Sequence, residues 1–549
     1  MSSRRDAMGP RAFSLALALV ATAVVGARAI APATRVDGLR RPSVARALGG
    51  ARGHFEIKDD VDDAERWFDQ TLDHFDHVDR RRWSQRYFVN ERFVEKIEAS
   101  TPVFVCVGGE GPALTARAVL DGGTHCGVMI DLAKKHRGIA LALEHRFYGA
   151  SQPTGDLSRE SLRYLTSAQA LEDVVAFVKY AADAYGLRTT PSDDGTNGSY
   201  SRVIAFGGSY PGMLAAWSRV KYPHAIHAAV ASSAPIRAEL DMRGYYDVVG
   251  EALREKDVGG SDACFDAVSE TFESELNEAL KTPEGRRALE TRFNVCGDAA
   301  LDQFGGRDGF ADVLRAMFPA QNNDPSCEME DTSCLNIAKA CAMMTRAETG
   351  KRLDALASVV KVVFGSSCVS LDGAAYMREL MSETPNPLGE GERQWTWQTC
   401  TEFAFFQTCE KDSGCPFKLD PPTMPLSSYQ WICAQVFGVS AEQTKNAVER
   451  SNARYGGITP GGTRILFPSG SVDPWIANSF VSNTFSPKWE PAFVVPGASH
   501  HAWTHPPKDT DSAAVVQARA RIEKQVEKWM NQGPMTLDSA RDRLRVGRV

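Results

Sequence analysis

The stretch VIAFGGSYPGMLAAWSRVKYP, residues 203–223, decides how this sequence is interpreted. It starts with a short apolar run typical of a buried strand and ends in apolar residues at helical spacing. Between them, two glycines and a serine predict a sharp turn that lifts the Ser209 hydroxyl above the carboxyl end of a sheet. Pro211 fits, because the first turn of a helix needs no intrahelical N–H donor. We predict that Ser209 is a nucleophile and that the Tyr210 amide donates to the oxyanion.

A serine nucleophile needs a base that takes its proton and an acid that orients that base. Asp473 follows the apolar run RILF and His500 follows the run AFVV, so each is expected just beyond the end of a strand. The chain order serine, aspartate, histidine is that of α/β-hydrolases. We predict Asp473 as the acid and His500 as the base, with the adjacent His501 as the alternative base. Taken singly, the aspartate is also typical of a turn and the histidine of a surface loop.

Strand patterns and helix patterns alternate along much of the chain, which predicts a mainly parallel sheet covered by helices on both faces. A helix-rich, cysteine-rich stretch interrupts this alternation before the last strand patterns return. We predict an α/β-hydrolase fold with an inserted helical cap. The predicted parts are the first part of the core at 60–236, the cap insertion at 237–455, the second part of the core at 456–531 and a tail at 532–549.

Residues 1–29 have the layout of a secretory signal peptide, with arginines before an apolar run and small residues at Ala27 and Ala29. A membrane anchor is the alternative, but the run is shorter than the roughly 20 apolar residues that span a bilayer. No second stretch of the sequence is long enough to span, so we expect no stable membrane insertion after cleavage. The predicted location is the secretory pathway, ending outside the cell or in a compartment like the lysosome or vacuole.

All 12 cysteines lie beyond this leader, an even number in a compartment that permits disulfides. Ten of them fall between Cys264 and Cys433, and only Cys106 and Cys126 precede them. This distribution predicts that disulfides staple the insertion. The NGS motif at Asn197 is a predicted glycosylation site.

Charge and cysteine spacing exclude several functions. A formal net charge of −7 and a pI near 6.0, without a dominant basic stripe, argue against binding to nucleic acid. The cysteines include no CxxC pair, which argues against a zinc ribbon. We predict neither a metal nor a cofactor.

Eleven motifs occur in order over most of the chain beyond the leader, namely WFDQTLDHFD, RRWSQRYFVN, GGEGP, LEHRFYG, SLRYLTSAQALEDV, GGSYPGMLAAWSRVKYPH, AAVASSAPI, RQWTWQTCTEF, YGGITPGG, DPW and GASHH. In these motifs the chain resembles the S28 family of serine peptidases. The resemblance implies an acyl-enzyme mechanism through Ser209, Asp473 and His500, and a helical cap that favours chain ends over folded proteins. We therefore expect an exopeptidase that hydrolyses peptides and prefers proline before the scissile bond.

The resemblance also implies where a substrate binds. By analogy with other serine exopeptidases of this fold, the Gly109 amide is the second oxyanion donor. Met213 and Trp475 correspond to the pocket for the residue before the scissile bond, although methionine and tryptophan are as common in ordinary cores. Glu110 is a candidate to bind a terminal ammonium group, with a buried structural carboxylate as the favoured alternative.

Two other functions use the same fold. An esterase or lipase has the same triad, but a lipase is expected to expose a broad apolar lid, whereas this insertion is charged and cysteine-rich. A catalytically silent binding protein commonly lacks a triad residue, and here all three are present. The sequence leaves open carboxypeptidase or aminodipeptidase action, the preferred residue, the disulfide pairing, the final compartment and whether the protein forms a homodimer.

Overall fold

The computed structural model describes residues 64–123, 125–187, 202–331, 334–481 and 491–532. The predicted signal peptide, the glycosylation motif at Asn197 and residues 533–549 of the predicted tail lie outside the described residues. Within the described ranges, no helix is both long and apolar enough to cross a bilayer.

A mixed eight-stranded sheet forms the centre of the core. The ten strands of the described chain are β1 (Glu65–Thr71), β2 (Arg82–Asn90), β3 (Val103–Val107), β4 (Ile139–Leu143), β5 (Val203–Gly208), β6 (Ala228–Ser232), β7 (Glu239–Asp241), β8 (Ala404–Phe406), β9 (Ile465–Gly470) and β10 (Ala492–Val495). The order in the large sheet is β1-β2-β4-β3-β5-β6-β9-β10. β2 runs antiparallel to β1 and β4, and the other neighbours are parallel. β7 and β8 pair separately.

Helices cover both faces of the sheet and fill the region between β6 and β9. Their bounds are α1 (Arg117–Leu120), α2 (Gly127–Lys135), α3 (Arg159–Leu162), α4 (Ser167–Ala184), α5 (Tyr210–Lys221), α6 (Gly244–Ala252), α7 (Asp262–Glu270), α8 (Asn277–Lys281), α9 (Pro283–Arg292), α10 (Gly306–Arg315), α11 (Ile337–Thr345), α12 (Arg352–Phe364), α13 (Gly373–Met381), α14 (Glu392–Gln398), α15 (Leu426–Phe437), α16 (Ala441–Tyr455) and α17 (Ala513–Met530). Two π-helical segments, Thr271–Leu276 and Thr399–Phe403, adjoin α7 and α14.

This architecture is the α/β-hydrolase fold, so the predicted fold class is confirmed. The central strands β3, β4, β5 and β6 are buried along their whole length, as expected for parallel strands with helices on both faces. The two antiparallel strands β1 and β2 were not predicted. Their polar and apolar residues are mixed because they lie toward the edge of the sheet, where one face is partly exposed.

Disulfides hold the region between β6 and β9, as the distribution of cysteines predicts. The sequence left the pairing open, and the structure pairs Cys264–Cys341, Cys296–Cys368, Cys327–Cys334, Cys400–Cys433 and Cys409–Cys415 there. A sixth bond, Cys106–Cys126, ties β3 to the start of α2. The predicted limits of the core and cap stay a prediction.

The last helix, α17, covers the part of the sheet that carries the second half of the predicted site. It packs against α2, β6, β9 and β10. The face predicted from its periodicity is the buried one, and it consists of Val515, Ala518, Ile522, Val526 and Trp529.

Removal of one side chain from this face tests its contribution to stability. Ile522 is fully buried, so Ile522→Ala is expected to lower the free energy of unfolding by about 2–5 kcal/mol through lost burial and a residual cavity. Val516, on the same helix, is 53% exposed, and Val516→Ala is expected to change the free energy of unfolding by less than about 0.5 kcal/mol. Urea unfolding of both variants measures the difference. Equal effects would mean that the helix does not pack as described.

Candidate active site

Ser209 stands on the turn between β5 and α5, where the sequence predicts it. Its backbone lies at φ 63° and ψ −132°, a region that residues with a side chain rarely adopt and that is enriched at functional sites. The Ser209 N–H donates to the Ser232 carbonyl at 2.9 Å, and the Ser209 carbonyl accepts from Met213 N–H at 3.0 Å. The half-buried hydroxyl thus stands beyond the carboxyl end of the central strand.

The turn needs glycine at position 207 because the helix returns directly over the strand. A Cβ atom on Gly207 would lie 2.2 Å from the Pro211 carbonyl oxygen, a distance at which the backbone of one of them must move. Pro211 occupies the first turn of α5, where its missing N–H costs no helical hydrogen bond.

Asp473 and His500 form a buried pair at the same edge of the sheet. Asp473 follows β9 and is fully buried, and both of its carboxylate oxygens lie 2.9 Å from His500 Nδ1. One oxygen also accepts from Trp475 N–H at 3.0 Å, which fixes the carboxylate in place. Because a carboxylate only accepts hydrogen bonds, Nδ1 of a neutral His500 carries the proton and Nε2 is left as the basic nitrogen.

The loop that carries the two histidines packs against the serine turn. A Cβ atom placed on Gly208 would lie 3.0 Å from the His501 ring, and Ser233 Oγ, after β6, accepts from His501 N–H at 2.9 Å. In the described structure no hydrogen bond joins Ser209 Oγ to His500, and such catalytic hydrogen bonds are often long before substrate binds. Ser209, Asp473 and His500 therefore share one sheet edge.

His501, the alternative base, has a different partner. Its Nδ1 lies 3.1 Å from Thr504 Oγ1, and burial, with a smaller contribution from the His500 charge, lowers its pKa well below the usual value. The ring of His500 is the one that contacts Asp473. In the structure, the Asp473 carboxylate thus pairs with His500.

The two predicted oxyanion donors lie on adjoining backbone segments. Gly109 follows β3, and a Cβ atom there would lie 2.3 Å from Pro211 Cγ, so this loop is in contact with the first turn of α5. The Tyr210 amide belongs to that first turn, where a helix offers no acceptor of its own. Both amides are therefore near the serine turn.

A buried hydrogen-bond chain holds the Tyr210 side chain. Gln398 Nε2–H donates to Tyr210 Oη at 2.9 Å, and the Tyr210 hydroxyl is 3.1 Å from His145 Nε2. Burial lowers the pKa of His145 to about 4, so this ring is neutral and accepts. Tyr148 completes the chain by donating to Gln398 Oε1 at 2.7 Å. No role was predicted for His145, Tyr148 or Gln398, although they fall in the stretches LEHRFYG and RQWTWQTCTEF.

Trp475 and Met213, the predicted pocket residues, are both buried in the described structure. The Trp475 ring packs edge-on against Tyr245 and Phe405, with centroids 5.5 and 5.4 Å away, and lies 6.2 Å from the His500 ring. Its Nε1–H donates to Gln321 Oε1 at 3.1 Å. Both residues belong to the same apolar core, and Trp475 in addition lies beside the His500 ring.

Glu110, beside Gly109, carries a carboxyl group without a hydrogen-bond partner at Oε2 in the described structure. Burial raises the pKa of Glu110 to about 7. The structure thus shows a carboxyl group next to the oxyanion loop whose charge is expected to change near neutral pH.

One group of side chains in the described residues has donor atoms close enough to hold a metal ion, namely Cys106, Cys126 and His125. Both sulfurs belong to the Cys106–Cys126 disulfide. A disulfide does not supply the thiolate that binds metals, so this group does not fit a metal centre as it stands.

Comparison with known sequences identifies the family. The family described as Serine carboxypeptidase S28 matches residues 70–522. The chain belongs to the S28 family. Curated relatives of this S28 protein include the thymus-specific serine protease of Mus musculus, 35% identical over 84% of this chain and 87% of that protein. They also include the lysosomal Pro-X carboxypeptidase of Bos taurus, 25% identical over 85% and 88% of the two chains.

Among solved structures, this S28 protein is similar to the peroxisomal alpha-beta-hydrolase Lpx1 of Saccharomyces cerevisiae. The two share 10% sequence identity, with a TM-score of 0.34 over 88% of this chain and 95% of that one.

The raised pKa of Glu110 predicts a pH-dependent stability. The folded protein holds this proton up to about pH 7 and the unfolded chain only to about pH 4.5, so the free energy of unfolding falls as pH rises between these values. In the unmodified protein, the free energy of unfolding is expected to be lower at pH 7.5 than at pH 4.5 by on the order of 1–3 kcal/mol because of this group. Glu110→Gln cannot ionise there, so this contribution is expected to be absent from the variant. Urea unfolding of both proteins across this range measures it. Parallel curves would contradict the prediction.

Proposed function

We propose that this S28 protein is a serine exopeptidase that hydrolyses peptides through an acyl-enzyme on Ser209. One observation carries the proposal: a buried Asp473–His500 pair lies at the same sheet edge as a serine held at positive φ beyond the central strand. The family supports peptidase chemistry over the esterase and binding alternatives.

The geometry supports a two-stage reaction. As Ser209 Oγ attacks the peptide carbonyl carbon, His500 Nε2 takes the hydroxyl proton, and the carbonyl oxygen becomes an oxyanion that accepts from the Tyr210 and Gly109 amides. Asp473 stabilises the resulting imidazolium. His500 then returns the proton to the leaving amine as the C–N bond breaks, which leaves the acyl-enzyme. His500 then deprotonates a water molecule as it attacks the ester carbonyl carbon. When the C–O bond to Ser209 breaks, His500 returns this proton to Ser209 Oγ, and the acid product is released.

We propose peptide chain ends as substrates, with proline favoured before the scissile bond. The name of the bovine relative specifies a Pro-X carboxypeptidase, and the flat Trp475 ring beside His500 suits contact with a cyclic, apolar side chain. The large disulfide-bonded region between β6 and β9 supports restricted access. The six disulfides and the lysosomal relative support a place in the secretory pathway or the lysosome.

The roles of the two adjacent histidines can be separated with matched variants. Ser209→Ala is expected to abolish labelling by a fluorophosphonate probe. His500→Gln is expected to lower the labelling rate strongly and kcat for peptide hydrolysis by on the order of 10⁶-fold. His501→Gln, one residue away, keeps both Asp473 and His500 and is expected to retain labelling. Mass spectrometry of the probe-modified peptide locates the reactive serine. Labelling that persists in Ser209→Ala, or that is lost only in His501→Gln, would contradict the assignment.

Trp475 provides a separate test of specificity. Trp475→Ala is expected to lower kcat/KM for peptides with proline before the scissile bond by about 10- to 200-fold, the range that corresponds to about 1–3 kcal/mol of apolar contact. Fluorophosphonate labelling of Ser209 is expected to fall much less, because the probe does not need this contact. The measurement is cleavage of a peptide library by both proteins. Equal cleavage after proline and after large charged residues by the unmodified protein would exclude the proposed preference.

A further inference from the structure

Gln321 belongs to the region between β6 and β9 and contacts two residues of the candidate active site, Trp475 and His500. It lies between α10 and α11 and is 7% exposed. Its Oε1 accepts from Trp475 Nε1–H at 3.1 Å and from the Tyr245 hydroxyl at 2.7 Å. Its backbone carbonyl accepts from His500 N–H at 3.1 Å. One residue thus contacts the proposed pocket wall by its side chain and the proposed base by its main chain.

The chemistry of the partners fixes how the Gln321 side chain is oriented. An indole N–H only donates, so the atom facing Trp475 Nε1 must be the amide oxygen rather than the nitrogen. The same oxygen faces the Tyr245 hydroxyl, which therefore also donates. With both lone pairs of Oε1 engaged, rotation of the amide would leave two donors without an acceptor. The side chain is held in one position.

A second contact from the same segment holds the loop that carries His500. Ser499 Oγ–H donates to the Asn323 carbonyl at 2.9 Å, next to the His500–Gln321 bond. Asn323 is itself fixed, since its Oδ1 accepts from the Ile337 N–H at the start of α11 at 2.9 Å. Residues 321–323 therefore fix Ser499 and His500 relative to a helix of the inserted region.

We propose that Gln321 is a positioning residue that determines selectivity for the residue before the scissile bond. It holds the Trp475 ring in a fixed position relative to His500. A substrate residue with a cyclic or small apolar side chain then fits beside this ring when the carbonyl carbon of that residue is at Ser209. This inference rests on the proposed function. Gln321 lies outside the family motifs and outside the triad. On this inference the inserted region supplies the residue that positions the pocket relative to the base.

Two variants of similar size separate the acceptor from the bulk of the side chain. Gln321→Met removes the oxygen and Gln321→Glu keeps one at the same distance along the chain. The measured quantity is the ratio of kcat/KM for two peptides that differ only in proline or leucine before the scissile bond. We expect this ratio to fall by about tenfold or more in Gln321→Met and to stay within about threefold in Gln321→Glu. Asn322→Ala, on the same loop, is the control and keeps the ratio.

A double-mutant cycle tests whether Gln321 acts through the indole. Trp475→Phe keeps an aromatic ring but removes the Nε1–H donor, so it is expected to lower the same ratio. Gln321→Met added to Trp475→Phe is then expected to lower it little further, because the two residues share one interaction. Independent effects that multiply would overturn the mechanism. If Gln321→Met does not fold, an unchanged ratio in Trp475→Phe overturns it as well.

The remaining outcomes distinguish this inference from the proposed function. Gln321→Met could lower kcat/KM for both peptides and the rate of fluorophosphonate labelling by the same factor, without rescue in Gln321→Glu. That result would mean that Gln321 has only a structural role, and it would overturn the inference alone. An unchanged ratio in Gln321→Met would do the same. If the unmodified protein carries the Ser209 label but hydrolyses neither peptide, the proposed function fails and this inference fails with it.

Discussion

The left-handed backbone at Ser209 is the constraint on which the rest of the site depends. A non-glycine residue persists in that conformation only where the surroundings determine it. Here the hydrogen bonds to Ser232 and Met213, and the contact between Gly207 and the Pro211 carbonyl, leave the chain no relaxed alternative. Once the turn is fixed, the hydroxyl, the Tyr210 amide and the neighbouring Gly109 loop are placed together. Strands β9 and β10, on one side of β5, then need only bring the proposed acid and base to the same edge.

The acid and base are positioned by a different part of the molecule. Asp473 is set by β9 and by its own hydrogen bond to the Trp475 amide, but His500 also depends on the Gln321 carbonyl from the inserted region. Five disulfides cross-link that region. Core and insertion therefore meet at His500, the proposed base.

Sequence patterns over short stretches predicted those parts of the structure that depend on interactions between residues close in the sequence. The buried strands, α5, α17 and the serine, aspartate and histidine at strand ends follow from apolar periodicity and turn chemistry within a few residues. The strands β1 and β2 were missed because their alternation is interrupted by charged residues. The disulfide pairing and the role of Gln321 depend on contacts between distant segments, 154 residues apart for Gln321 and Trp475, and no spacing in the sequence encodes them. The choice between His500 and His501 likewise needed the position of Asp473.

The placement of the insertion between β6 and β9 has a consequence for the order in which the protein is made. The hydrogen bond between His501 and Ser233 beside the serine turn joins residues 268 apart in the sequence, so Ser209 emerges from the ribosome long before His500, its proposed base. Chains fold from the N-terminus as they are synthesised, and here the early strands can settle while the last two are still missing. On the proposed roles, Ser209 of a nascent chain would therefore have no base until the region between β6 and β9 and the last two strands have been synthesised and folded.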